Sequence, residues 1–298
     1  MNRWVAGARP RTLPAAVVPV AVGTACVYAD AHLHAHTHVG GLGGIIVWRA
    51  VAALVVSLAL QVATNYSNDY SDGIRGTDEG RVGPVRLVAS GLAAPASVKR
   101  AAFIAFGVAA LAGLGLSLVV GPQLLVVGAA SMAAAWLYTG GPRPYGYAGF
   151  GEVFVFLFFG VVATVGTAYV QSGHIRHLEV LASLPVGLLA VALLVINNLR
   201  DIPGDTRSGK RTLAVRLGDG PTRGLYVGCL ALAFVGAAGV AASRVGALAA
   251  LLALPLAAPP VAKVLRGAAG RSLIAVLGET GRLQLALGLL LTAGLILG

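Results

Sequence analysis

The chain has 298 residues, 57% of them hydrophobic and only 11% charged, with a formal net charge of +11 and a mean hydropathy of +0.83. A soluble domain carries about 25% charged residues, so this composition excludes an ordinary water-exposed surface and places the chain in a bilayer. Cys26 and Cys229 sit in apolar surroundings without CxxC spacing, which argues against a disulfide or thiolate metal site and for two small buried hydrophobes.

The first apolar run spans residues 13–29. Arg3, Arg9 and Arg11 precede it as in a signal peptide, but the two prolines of "ARPRTLP" and the eight later spans predict an uncleaved first helix. Runs at 45–63, 101–120 and 124–137 follow, the last two split by the tight turn "GPQ". Further runs cover 153–170, 180–196, 225–242, 247–264 and 283–297, with the short "SRVG" before the eighth. Each approaches the ~20 residues that carry a helix across ~30 Å of hydrocarbon. No stretch shows the alternation of a membrane barrel strand. The expectation is an all-α, polytopic membrane protein of about nine transmembrane helices in one domain, residues 1–298.

The basic residues orient it. With the N-terminus inside, 19 of the 22 Lys and Arg fall on inside segments, leaving Arg49, Arg176 and Arg244 outside. This bias predicts a cytoplasmic N-terminus and an external C-terminus in the cell membrane. Anionic membrane lipid accounts for charges spread along such loops, so no nucleic-acid partner is expected. The "HLHAHTH" stretch, with His32, His34, His36 and His38, has a spacing that suits a transition metal, yet it falls on the outer side. It is read as a polar external loop.

The carboxylates are concentrated. Asp69, Asp72, Asp78 and Glu79 stand in "NDYSDGIRGTDEG", and Asp201 and Asp205 in "NNLRDIPGDTRSGKRTLAVRLG". These six of eleven acidic residues lie in two cytoplasmic segments, at about 65–90 and 197–218, after the second and sixth helices. The likeness between them is a weak internal repeat and suggests two acidic sites facing one cavity. Asp69 and Asp72 are three apart and Asp201 and Asp205 four apart, so each pair shares a face of a continuing helix. Pro203 and Gly204 make regular helix through the second segment doubtful. Clustered carboxylates without His or Cys suit hard cations, with Mg²⁺ the leading candidate because carboxylates and substrate phosphates hold it together.

Basic residues accompany each acidic group: Arg75, Arg81 and Arg86 in the first segment, Arg207, Lys210 and Arg211 in the second. A lone mixed loop would read as a solvated connection. Two of them, each with Asn, spaced Asp, Gly and then basic residues, point to a lipid diphosphate whose headgroup meets metal and cations while apolar helices take the tail. A secondary transporter is the competing class, but it would put ionisable residues near mid-membrane rather than crowd them at one interface.

These residues resemble the UbiA superfamily of intramembrane aromatic prenyltransferases, and within it the naphthoate branch that makes the menaquinone precursor. The first family motif matches Asn68, Asp72 and Asp78; in the commonest pattern the third residue would fall at Gly76, and its shift to Asp78 is similar to the naphthoate branch. The second motif matches Asp201, Asp205, Gly209 and Lys210. "ARPRTLPAAVVPVAVGTA", "RVGPVRL", "YTGGPRPYGYAGFGE" and "GKRTLAVRLG" extend the likeness over essentially the whole chain. The resemblance implies a nine-helix bundle with a central cavity open to the cytoplasm. It also implies Mg²⁺-dependent transfer of a polyprenyl group from polyprenyl diphosphate to 1,4-dihydroxy-2-naphthoate, with loss of CO2. A related transferase using 4-hydroxybenzoate is the alternative acceptor reading.

On that resemblance Asp72, Asp78, Asp201 and Asp205 are the expected catalytic metal holders. Asn68, Asp69, Arg81, Tyr138, Arg143, Asn198, Arg207 and Lys210 are the expected substrate-binding residues. Tyr138, Arg143 and Tyr145 follow the fourth helix, where related enzymes cover the active site; an interfacial aromatic and Arg belt explains them equally. Arg9 and Arg11 are within reach of a diphosphate, or serve as anchors. Glu152 opens the fifth helix, where a carboxylate suits the N-terminus, with a catalytic part as the other reading.

Overall fold

The computed structural model describes residues 2–33, 44–78 and 83–298. Among them a short helix, α1 (Arg3–Ala8), is followed by α2 (Pro14–Leu33), α3 (Val47–Ile74), α4 (Pro95–Val120) and α5 (Gln123–Leu137). Then come α6 (Gly151–Ser172), α7 (His177–Arg207), the short α8 (Leu213–Leu217), α9 (Asp219–Val240), α10 (Val245–Leu265) and α11 (Ser272–Leu297). Eight of these are long and apolar enough to cross a membrane. The ninth expected segment, α5, has only 15 residues. At 1.5 Å per residue it reaches about 22 Å, less than the hydrocarbon thickness.

The helices outrun their apolar stretches. α3 continues to Ile74 and α7 to Arg207, so Asn68, Asp69, Asp72, Asn198, Asp201 and Asp205 stand on helices rather than in the expected loops. Pro203 and Gly204 are absorbed into α7. The physical reason lies in the backbone: a helix satisfies its own N–H and C=O groups, which continues to matter where the chain leaves the bilayer core.

α7 is the central pillar. Its Leu189, Ala192, Val195 and Ile196 join buried residues of α2, α9, α10 and α11 in the largest core cluster. α3 packs mainly on α4, and α11 on α10 and α2. Leu111, Leu118, Val126, Val235 and Leu252 lie exposed on outer faces, as suits a surface that meets lipid rather than water. α6 widens into a π-helical stretch over Phe156–Val162, a feature often found beside functional sites. There Gly160 meets Gly187 of α7 so closely that a Cβ on Gly160 would lie 2.5 Å from the Gly187 Cα. Small residues permit this approach of backbones.

Both acidic segments sit at one end of the bundle. α3 runs from Arg49 near its start to Asp72 near its finish, roughly 35 Å apart at helical rise. α7 likewise runs from its cap at Arg176 to Asp205. Arg49, Arg176 and Arg244 therefore mark the opposite end, where Arg49 donates to the Val170 carbonyl at 2.9 Å and Arg176 pairs with Asp30. His32 is at that far end too; His34, His36 and His38 lie outside the described residues.

Candidate active site

Asp72 is the hub. It is buried at 3% exposure on the last turn of α3. Its Oδ1 accepts from the Tyr147 hydroxyl at 2.5 Å, from Lys210 Nζ at 3.0 Å and from Thr77 Oγ1 at 3.3 Å. Arg86 reaches its Oδ2 at 3.4 Å and also pairs with Asp78 at 3.1 Å. The Lys210 ammonium in turn lies 3.8 Å from Asp205 of α7. A continuous chain of alternating charge thus runs Asp78, Arg86, Asp72, Lys210, Asp205. The two acidic segments converge as expected.

Two glycines shape this convergence. Gly209 adopts φ +74, just past the end of α7. A left-handed residue at that position lets the chain double back at no Cβ cost, so the Lys210 amide bonds the Asp205 carbonyl at 2.9 Å while its side chain turns toward Asp72. Gly76 does the same after α3, with φ +68. The third acidic residue, Asp78, stands beyond this turn, where Arg86 receives it.

The remaining expected residues divide. Asn68 Oδ1 accepts from Thr139 Oγ1 at 2.8 Å, and the Asn198 amide donates to Glu152 Oε1 at 2.9 Å. Asp201 pairs with its neighbour Arg200 at 2.8 Å. Asp69 is fully buried, its oxygens accepting from the Leu87 and Val88 amides at 2.7 and 3.0 Å. It ties the returning segment that carries Arg86 onto α3. Arg143 and Arg207 are exposed. Arg81 and Glu79 lie outside the described residues.

Tyr147 is the partner that motif spacing did not single out. The Lys210 ammonium stands 4.7 Å from its ring centroid and the Arg75 guanidinium 5.5 Å, a cation–π arrangement on an aromatic already bonded to Asp72. Burial, then the Asp72 charge, push its phenol above the usual value, so it remains a hydrogen-bond donor. The only hint was its place in the "YTGGPRPYGYAGFGE" stretch.

A cavity of about 330 Å³ opens beside this cluster. Arg9, Asn65, Asn68, Arg86, Asn197 and Asn198 form its polar end; Tyr138, Tyr145, Phe154 and Phe158 form an aromatic wall, and Leu124, Val127 and Val170 continue it as an apolar chamber. Tyr145 stacks on Phe154 at 4.0 Å between centroids. Arg9 is placed here by an unusual backbone, φ +53, held by Thr12, whose hydroxyl accepts from Gln61 and Asn65, each at 3.2 Å. The charged side chains Asp72, Asp78, Arg86, Lys210 and Asp205 gather at the end of the bundle where the two acidic segments meet.

The donor set suits a hard divalent cation. Asp72, Asp78 and Asp205 offer only oxygen, and Arg86 and Lys210 show that positive charge is already accommodated between them. Among the described residues no three His, Cys, Asp or Glu side chains form a ready metal cage. Mg²⁺ does not require one, since substrate phosphates complete its shell.

Comparison with known proteins agrees with this geometry. A model of the UbiA prenyltransferase family matches residues 16–277. A 1,4-dihydroxy-2-naphthoate octaprenyltransferase of Mycobacterium tuberculosis (strain ATCC 25618 / H37Rv) is 49% identical over 296 residues, covering 99% of this chain and 97% of its own. An enzyme of the same name from Escherichia coli (strain K12) is 38% identical over 234 residues, 76% of this chain and 72% of its own. Among solved structures, a UbiA homolog from Aeropyrum pernix K1 superimposes with a TM-score of 0.67 at 17% identity, covering 94% of this chain and 96% of its own. A UbiA homolog from Archaeoglobus fulgidus, bound to DMAPP and Mg²⁺, gives 0.62 at 15% identity, over 97% and 99%. At such low identity these two speak for the fold.

Proposed function

The chain belongs to the UbiA prenyltransferase family, and from that premise we propose that it transfers a polyprenyl group from polyprenyl diphosphate to 1,4-dihydroxy-2-naphthoate. The prenylated ring carbon loses its carboxylate as CO2, yielding a demethylmenaquinol. The observation that carries the reading is the meeting of Asp72 of α3 and Asp205 of α7 at the single ammonium of Lys210, beside an apolar cavity.

Breaking the allylic C–O bond leaves a cation-like prenyl group and a diphosphate with extra negative charge. Lys210 and Arg86 meet that developing charge from fixed positions, where oriented donors cost no reorganisation at the moment of reaction. Tyr147 holds Lys210 and Asp72 in register. Asp72, Asp78 and Asp205, with Asp201 on the same helix as Asp205, would hold Mg²⁺, which would supply further charge neutralisation on the diphosphate. The aromatic wall of Tyr145, Phe154 and Phe158 suits both an allylic cation and a flat acceptor ring. The apolar chamber keeps out water that would otherwise capture the cation as prenyl alcohol. The Lys and Arg bias further supports a plasma-membrane protein with its acidic mouth and N-terminus toward the cytoplasm.

Purified protein supplied with Mg²⁺, octaprenyl diphosphate and either 1,4-dihydroxy-2-naphthoate or 4-hydroxybenzoate tests this directly. The expected product is a prenylated, decarboxylated quinol from the naphthoate alone, absent in excess chelator. Turnover of the benzoate only, or undiminished turnover in chelator, would contradict the proposal.

A further inference from the structure

Glu152 is a buried carboxylate outside the charge network around Asp72. It stands in the first turn of α6 at 7% exposure, where the helix N-terminus favours its charge. Among the described residues no Lys or Arg pairs with it, and its Oε2 meets no donor. Its Oε1 accepts from the Asn198 amide of α7 at 2.9 Å. Asn198 lines the cavity, and Glu152 stands behind it. Tyr138, also a lining residue, lays its ring against the neighbouring Gly151, where an added Cβ would be 3.4 Å from the hydroxyl oxygen.

Burying such a pair costs desolvation that two apolar side chains would not. What it gives is direction. An ionised carboxylate only accepts hydrogen bonds, so Glu152 draws the Asn198 NH2 group toward itself and turns the Asn198 carbonyl the other way, to the cavity. A fixed carbonyl there repels a diphosphate oxygen and suits a group that donates. The aromatic wall begins at the same corner. The Tyr138 and Tyr145 rings meet at 5.5 Å between centroids, and Phe154 and Phe158 follow Glu152 along α6. A flat ring lying on that wall brings a ring hydroxyl to Asn198.

We propose that Asn198 binds the aromatic acceptor, its carbonyl receiving a phenolic hydroxyl, and that Glu152 is the positioning residue that aims it. This rests on the prenyl-transfer reading above. The test is steady-state kinetics of detergent-solubilised full-length protein with Mg²⁺, with KM read separately for octaprenyl diphosphate and for 1,4-dihydroxy-2-naphthoate. Asn198→Leu and Glu152→Leu should each raise the naphthoate KM about tenfold, the effect of losing one partner of a substrate hydroxyl, and leave the diphosphate KM within about twofold. Glu152→Gln, whose side-chain carbonyl still receives the Asn198 amide, should recover most of that loss. 1,4-Dimethoxy-2-naphthoate has no hydroxyl to donate, so it should inhibit Asn198→Leu at least as well as unaltered protein. Thermal unfolding identifies folded variants, and Asn198→Ser and Glu152→Ala stand in for a leucine variant that does not fold. The proposal is overturned by an unchanged naphthoate KM, by a diphosphate KM that rises in step with it, by dimethoxy inhibition that weakens alongside, or by Glu152→Gln as damaging as Glu152→Leu. If unaltered protein prenylates 4-hydroxybenzoate and not the naphthoate, the naphthoate assignment falls, and the same KM comparison on that phenol decides the role of Asn198.

Discussion

The two acidic segments look alike in sequence and behave differently in the fold. In the first segment, Asp69 binds backbone amides, Asp72 accepts from four donors and Asp78 pairs with Arg86. On α7, Asp205 touches Lys210 at a loose 3.8 Å and Asp201 pairs with the adjacent Arg200. The first segment is therefore built around one hub, Asp72, and the second meets that hub through Lys210. Equal spacing of acidic residues does not mean equal duty, because what a carboxylate does depends on which donors the fold brings to it.

Substitutions can break or sharpen this contrast. The largest effect is expected at Asp72, where Asp72→Asn removes the charge that organises Lys210, Arg86 and Tyr147. kcat/KM for prenyl transfer should fall by about 10³-fold or more, beyond the loss of a single oriented donor. Asp205→Asn should be nearly as severe, since Asp205 supplies the second wall of the diphosphate site. If Asp205→Asn retained most turnover, Asp205 would have no share in the chemistry.

Lys210→Met should come next, with kcat down about 10²-fold and folding little changed if the ammonium acts on the leaving group. Tyr147→Phe should cost roughly tenfold or less, since one hydrogen bond to Asp72 is lost while the ring under Lys210 stays. Its phenol pKa is raised, so the hydroxyl stays protonated through neutral pH and up to its ordinary pKa of about 10. The ratio of unaltered to variant activity should accordingly be the same at low and high pH; a ratio that collapses as pH rises would show the hydroxyl ionising. The smallest effect on chemistry is expected at Asp69. Asp69→Ala should lower stability by roughly 1–3 kcal/mol, because the buried Leu87 and Val88 amides lose their acceptor. Turnover per folded molecule should stay within a few-fold.

Much of the architecture was legible beforehand. Each apolar run predicted a helix that the fold contains, because length and composition alone meet the demands of a bilayer. The helix ends were not legible: α3 and α7 extend by more than two turns past their apolar stretches, where polar residues carry no hydropathy signal. That Asp72 and Asp205 would be brought together was legible from the spacing of the two acidic segments. The duty of Asp69 was not, since only the returning segment at Leu87 and Val88 reveals it. Tyr147 escaped for the same reason, standing 75 residues from its partner Asp72 in a loop of ordinary polarity.

A double-mutant cycle on Asp72→Asn and Asp205→Asn, read as kcat/KM, bears most directly on whether α3 and α7 serve one headgroup. Groups that act as a unit lose their function together. The double variant should be no worse than about threefold below the poorer single variant. Losses that multiply would mean two independent sites and would contradict the account.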